Sequence, residues 1–263
     1  MITRLQAEQV KELVYSTGEY IRNERISFQA SSIEHKEFYD MVSYVDKISE
    51  KKLIDGIEII LPGSSFMAEE SGIQNNNSPY NWIIDPLDGT TNFIHNLPHY
   101  SISIALQVDG KLKAGWVYEI CTDEMFTAVK GEGAFSNKKR IEVSKTTELE
   151  QSLIATGFPV TKYERISQYM ELTKSMIQSS RGLRRFGTAA YDLCLVASGR
   201  VDAYYEPGLS PWDVAAGAVI VEEAGGKVTD FNGGDEFLEK ATILASNSYI
   251  HANILKYIQQ CMD

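Results

Sequence analysis

Two aspartates three positions apart, Asp85 and Asp88, carry the strongest chemical signal in the chain. They stand in the run Trp82-Ile83-Ile84-Asp85-Pro86-Leu87-Asp88-Gly89-Thr90-Thr91-Asn92-Phe93. The three apolar residues predict a buried strand. Pro86 fixes its own φ and biases Asp85 toward extended backbone, which would end the strand and aim both carboxylates at one spot. Gly89 lets the backbone approach a ligand closely, and Thr90 or Thr91 can open a short helix whose free N–H groups face an anion. The chemistry implied is a hard cation held by carboxylate oxygens beside a phosphate. An ordinary turn, closed by Asp88-Gly89 and followed by a capping Thr90, fits the same residues.

Two further acidic stretches supply what such a site lacks. Glu69-Glu70 follows the short apolar segment Ser65–Ala68, and because adjacent side chains diverge on extended chain, only one of the pair is expected to join the Asp85 cluster. Asp213 follows Pro211-Trp212 and precedes the small, apolar run Val214-Ala215-Ala216-Gly217-Ala218-Val219. Each has a plain structural reading: surface acids for Glu69-Glu70, a helix cap for Asp213. Carboxylates at the mouths of several buried elements, with no histidine or cysteine cluster beside them, are together the oxygen set that Mg2+ prefers.

The elements that must position these acids follow from periodicity. Amphipathic helices are expected over Thr3 to Ile26 and Val42 to Ile60, the second ended by Pro62-Gly63. Strands at Ser65–Ala68 and Trp82–Ile84 flank a polar loop, Gln74 to Ser78. From Tyr100 to Phe135 the pattern is a meander, with a hairpin at Asp109-Gly110. After Glu150, strands and helices alternate: Leu153–Thr156, Ile166–Gln178, Leu183–Phe186, Ala189–Ser198, Val201–Tyr205, Asp213–Ala224, Thr242–Ala245 and Tyr249–Gln260. The expected organisation is an α+β lobe over 1–150 carrying most metal ligands and an α/β lobe over 151–263 carrying Asp213 and the residues that select the substrate, packed as one unit.

Composition narrows the function classes. With 263 residues and 43% hydrophobic content, the chain can bury a sizeable core. A formal charge of -11 argues against nucleic acid or an anionic membrane as a primary partner. It also means that a phosphorylated substrate needs imported positive charge, which a divalent cation supplies. Met1 to Tyr20 is polar and amphipathic, and no run of about 18 apolar residues occurs, so a cytoplasmic location is expected. Cys121, Cys194 and Cys261 are too scattered for a disulfide framework or zinc site.

The chain resembles the inositol monophosphatase family of Mg2+-dependent, lithium-inhibited phosphatases. The resemblance rests on Asp40-Met41-Val42-Ser43-Tyr44-Val45-Asp46, Ala68-Glu69-Glu70-Ser71, the Asp85 stretch, Gly131-Glu132-Gly133-Ala134-Phe135, Gly187-Thr188-Ala189-Ala190 and Trp212-Asp213-Val214-Ala215-Ala216-Gly217, all in order. It implies a layered α-β-α-β-α sandwich, with an antiparallel sheet in the first half and a mixed sheet in the second, usually in a homodimer. It implies two or three Mg2+ ions per subunit held by Glu69, Asp85, Asp88, Asp213 and the Leu87 carbonyl, with Glu70 outside the ligand set. Thr90, positioned by Asp46, would orient or deprotonate the attacking water together with Glu69. The amides around Gly89 and Thr90 would hold phosphate oxygens, while Gly187, Thr188, Ala189 and Glu206 would meet substrate hydroxyls.

One departure is the lysine. The family places it farther upstream of the Asp40 motif than Lys36 stands here, so Lys36 fits a phosphate contact and a surface lysine equally. The loop Phe28 to Tyr39 is where metal retention would differ.

The implied reaction is hydrolysis of a phosphomonoester by metal-activated water, without a phosphoenzyme. His95 and His99 are read as structural donors rather than general acids. Myo-inositol monophosphate is the first substrate. An NADP(H) 2′-phosphate or fructose 1,6-bisphosphate are the alternatives, since the basic cluster Arg181, Arg184 and Arg185 could meet a second phosphate. A hypothesis of another class is a regulatory interaction protein on the same fold, against which the intact acid set argues.

Overall fold

A computed structural model describes residues 2–28, 33–35, 41–159 and 163–262. Lys36 and Asp40, with most of the loop Phe28 to Tyr39, lie outside the described residues. Helix α1 (Arg4–Ser27) starts at a capping box. The Thr3 hydroxyl accepts from the Gln6 amide at 3.2 Å, and the Gln6 side chain accepts from the Thr3 amide at 2.9 Å. A short antiparallel pair, β1 (Ile33–His35) and β2 (Met41–Ser43), leads into α2 (Tyr44–Ile60). That helix begins two residues later than its apolar pattern suggests, because Val42 belongs to β2.

The next segment builds an eight-stranded sheet from β3 (Ser65–Ala68), β4 (Gly72–Gln74), β5 (Tyr80–Asp88), β6 (Ser101–Val108), β7 (Lys111–Glu119), β8 (Glu124–Val129), β9 (Gly133–Ser136) and β10 (Lys139–Ile141). The five-residue helix α3 (Thr90–Ile94) lies between β5 and β6. The spatial order is β10-β9-β8-β7-β6-β5-β3-β4. Asp109 and Gly110 close the β6–β7 hairpin with φ of 50° and 75°, as their sequence signal predicts. The sheet is not purely antiparallel. Strand β4 folds back along the outer edge of β3, so β5 enters on the other side and runs parallel to it.

The second sheet combines β11 (Leu153–Thr156), β12 (Gly182–Arg184), β13 (Ala203–Pro207), β14 (Lys227–Thr229) and β15 (Thr242–Ser246) in the order β12-β11-β13-β15-β14. Its β12-β11-β13 pairings are parallel and its β13-β15-β14 pairings antiparallel, so this sheet is mixed as expected. Helices α4 (Ile166–Ser179), α5 (Ala189–Ala197), α6 (Pro211–Glu223), α7 (Phe237–Lys240) and α8 (His251–Met262) complete the chain. Strand β13 starts two residues later than the apolar pattern proposes because Asp202 is spent on capping. Its carboxylate accepts from the Leu153 amide at 2.7 Å and the Ser144 hydroxyl at 2.5 Å.

Packing gives the five layers α-β-α-β-α. Helices α1 and α2 cover one face of the first sheet over a core that includes Val14, Leu53, Trp82 and Trp116. Helices α5 and α6 fill the space between the sheets, with Leu193, Ala216 and Ile220 in the shared core. Helices α4 and α8 cover the far face of the second sheet with Tyr169, Leu172, Ile254 and Ile258. Helix α6 is apolar nearly all round, as a helix between two sheets must be. Among the described residues, no helix is long and apolar enough to cross a membrane.

Candidate active site

Strand β5 does not stop at Asp85. It continues through Pro86 to Asp88, and Asp85 pairs with Ser103 while Asp88 pairs with Ser101, a register shift that spends one extra residue on β5. Pro86 has no N–H to give the ladder, so the local solution is a bulge rather than a strand end. The Leu87 amide donates to Asp85 Oδ1 at 2.9 Å, fixing that carboxylate against its own turn. Thr90 Oγ1 lies 3.0 Å from both Asp46 Oδ1 and the Leu87 carbonyl, so the predicted Asp46–Thr90 relation is present. Gly89 between them has φ +90°, and a Cβ there would stand 3.0 Å from the His99 carbonyl oxygen. Only glycine meets both demands at this position.

Glu69 follows β3, the parallel neighbour of β5, and its amide donates to the Ile84 carbonyl at 3.2 Å. The turn beyond it is held by Glu50, a buried acid on α2 that accepts from the Glu70 and Ser71 amides at 2.7 and 2.9 Å. Asp213 sits in the first turn of α6 and accepts from the Ser210 amide at 2.7 Å. The plain reading, with Asp213 as the N-cap, is corrected: Ser210 is the N-cap, the helix starts at Pro211, and Asp213 is the third helical residue, closing a capping box. Asp88 Oδ2 accepts from the Thr188 hydroxyl at 2.5 Å and the Ala190 amide at 2.8 Å, both at the start of α5.

These positions make one electrostatic unit. Burial, then the charges of Glu69, Asp88 and Asp213, hold the Asp85 carboxyl well above its usual range. Burial also raises Asp213, with Asp88 and Glu69 adding to it. Asp88 is pushed up by burial to about 6, against the opposing hydrogen bonds from Thr188, Ala190, Ala189 and Gly89. Among the described residues, no three His, Cys, Asp or Glu side chains close round one point as a finished coordination cage. The four acids are nevertheless near enough to disturb one another's ionisation, and that same repulsion opposes their closing without a counter-charge. An all-oxygen donor set with surplus negative charge and no thiolate or imidazole suits Mg2+.

At the other end, Glu206 on β13 is 8% exposed, and its Oε2 accepts from the Tyr204 hydroxyl at 2.5 Å. Burial pushes Glu206 up to about 7, with the Tyr204 hydrogen bond and Arg185 opposing. A Cβ on Gly157 would stand 1.9 Å from Glu206 Oε2. Of the three arginines singled out in the sequence, Arg185 acts on Glu206, whereas Arg184 turns to the Leu183 carbonyl at 2.9 Å and Arg181 is exposed. His99 pairs with buried Glu119 at 3.3 Å and packs on Tyr191, in keeping with a structural donor, and His95 is exposed.

Three residues escaped the sequence reading. Glu50 and Asp192 are acids inside helices, with no local signature beyond an acid on an apolar face. Asn92 belongs to the opening motif, and its side-chain amide bridges the His99 and Phe186 carbonyls at 2.8 Å each, tying the loop after α3 to the approach to Gly187.

The chain is 41% identical over 249 residues to the protein named Nus factor SuhB of Pseudomonas aeruginosa, covering 93% of this chain and 92% of that one. The solved extragenic suppressor protein suhB of Bartonella henselae superposes with a TM-score of 0.92 at 37% identity, covering 97% of this chain and 98% of that chain. The inositol monophosphatase of Anabaena (Nostoc) gives 0.85 at 37% identity, covering 98% and 97%. Residues 5–263 match the sequence model of one family, and with the layers and acids in the order described, the chain belongs to the inositol monophosphatase family.

Proposed function

We propose that the chain is a Mg2+-dependent phosphomonoesterase that hydrolyses myo-inositol monophosphate to inositol and phosphate. What supports this most is the convergence of four acids from three separate elements, close enough that Glu69 and Asp88 act on both Asp85 and Asp213. Glu69, Asp85, Asp88, Asp213 and the Leu87 carbonyl would hold two or three Mg2+ ions per subunit. Ions bound there acidify a water and neutralise the phosphate and the leaving alkoxide.

The chain's own residues supply order. Asp46 fixes the Thr90 hydroxyl, Thr90 would orient the attacking water, and the Glu69 carboxylate would take its proton. The Gly89 and Thr90 amides contact phosphate oxygens. Thr188 and Ala190 hold Asp88 in place, while Gly187, Thr188, Ala189 and Glu206 face the alcohol portion. In this reading residues 1–150 carry most metal ligands, 151–263 select the substrate, and two copies form a homodimer.

The test is phosphate release from inositol 1-phosphate, NADP+ and fructose 1,6-bisphosphate, side by side, with and without Mg2+. Inositol 1-phosphate is expected to be the fastest of the three. If all three are inert, or Asp85→Asn leaves turnover unchanged, the reading is wrong. A regulatory interaction role on the same fold is the second reading, favoured by the name Nus factor that relatives carry. Replacing the cellular copy by Asp85→Asn separates the two, because a binding role survives loss of turnover.

A further inference from the structure

Asp192 has no part in metal binding or water activation as proposed, yet the charges of both Asp88 and Glu206 act on it. It occupies the first turn of α5, its amide donating to the Thr188 carbonyl at 3.0 Å. The residue is 1% exposed, and its Oδ1 meets no hydrogen-bond donor. An orphaned carboxylate oxygen at such depth is expensive, and native proteins tolerate one where a ligand completes it. The charges that act on Asp192 are Glu206 and Asp88, which repel it, and Arg185, which attracts it.

Glu206 has a complementary deficit. Tyr204 occupies its Oε2, and Gly157 closes against the same carboxylate so tightly that no side chain fits. Oε1 is left to accept. Two acceptor oxygens from different elements, α5 and β13, therefore lack a donor, and the charge of Asp88 acts on both of the acids that carry them. The chemistry that satisfies them is a pair of neutral O–H donors, which adds no charge to desolvate.

Resting on the phosphomonoesterase reading, we infer that Asp192 is a specificity residue which, together with Glu206, accepts hydrogen bonds from two hydroxyls of a polyol phosphate. A bound water is the other source of such a donor, and the two are separable. The experiment compares inositol 1-phosphate with cyclohexyl phosphate, which has the same ring and no hydroxyls, on wild type and Asp192→Asn. The expected result is a fall of about tenfold or more in kcat/KM for inositol 1-phosphate with cyclohexyl phosphate within about twofold, because losing one buried polar partner discriminates at this level.

Glu206→Gln is expected to show the same selectivity, and the double variant to lose less than the product of the two. Equal losses on both esters, or none on either, assign Asp192 to a water or to structure and overturn the inference. Should Asp192→Asn not fold, wild type is assayed with mono-deoxy inositol phosphates, where two hydroxyl positions are expected to matter and uniform rates overturn it. Turnover of cyclohexyl phosphate by wild type keeps the phosphatase reading standing whatever Asp192 does. If wild type hydrolyses neither ester, that reading fails and this inference with it.

Discussion

The Thr188 hydroxyl donates to Asp88 Oδ2 across 2.5 Å, so an acid of the first sheet is held by the residue that precedes a helix of the middle layer. The Ala190 amide reinforces the grip at 2.8 Å. A hydrogen bond to a charged, half-buried acceptor contributes more than a neutral one. Thr188→Val, which keeps the shape and removes the hydroxyl, is expected to lower stability by about 1–3 kcal/mol. It also lowers kcat by roughly tenfold through a misplaced Asp88. Urea denaturation and initial-rate kinetics on the same preparation check both parts.

Removing one of the clustered acids has opposite effects on stability and activity. Asp85 is raised first by its own burial and then by three neighbouring carboxylates, so Asp85→Asn relieves repulsion in chelator and is expected to raise the melting temperature there. The same change cuts Mg2+-dependent turnover by about a hundredfold or more. It also flattens the rise in melting temperature on adding Mg2+ to wild type. A variant that melts lower in chelator and still gains the full Mg2+ increment contradicts the assignment.

Glu50 tests how far metal affinity depends on a residue that touches no ligand. Its two hydrogen bonds to the Glu70 and Ser71 amides fix the turn that starts at Glu69. Glu50→Ala takes the carboxylate partner from the Glu70 and Ser71 amides and frees Glu69 to wander. The expected outcome is a Mg2+ requirement raised by roughly tenfold, with kcat at saturating Mg2+ changed far less. An unchanged Mg2+ titration would separate Glu50 from the metal end.

The pH dependence of stability in chelator has a definite sign at Glu206. Burial raises this carboxyl from 4.5 to about 7 in the folded chain. Between those values the folded state keeps a proton that the unfolded chain has released. The contribution of Glu206 to stability is therefore complete below pH 4.5 and is lost as pH rises to about 7. Glu206→Gln stays neutral throughout, so the variant's denaturation midpoint is expected to gain on wild type steadily across that window. A constant offset between the two curves would contradict the buried, raised carboxyl.

Much of the site was legible because its acids end or follow apolar runs. Asp88, Glu69 and Asp213 each mark a strand or helix terminus, where a fold exposes side chains to a common space, and Asp85 stands at the bulge just before one. Glu50 and Asp192 were not legible. Each is an acid within a helix, and only tertiary packing shows that one holds the Glu69 turn and the other lies beside Glu206. The same physics explains the missed elements. Strands β4, β10 and β14 have three residues each, too short for an alternating pattern to show. The fixed φ of Pro86 and its bias on Asp85 predict a strand end, but a bulge accommodates the proline and the strand runs on to Asp88.

Helix α6 carries a geometric consequence for the site. A Cβ on Gly115 of β7 would lie 2.5 Å from the Ala216 carbonyl, and one on Gly217 would lie 2.6 Å from Leu193. At Gly115 backbone meets backbone and at Gly217 the helix meets the Leu193 side chain, so α6 has no room for a side chain at either contact. Any side chain at Gly115 or Gly217 must push α6 away from β7 or α5, and Asp213, in the first turn of that helix, moves with it.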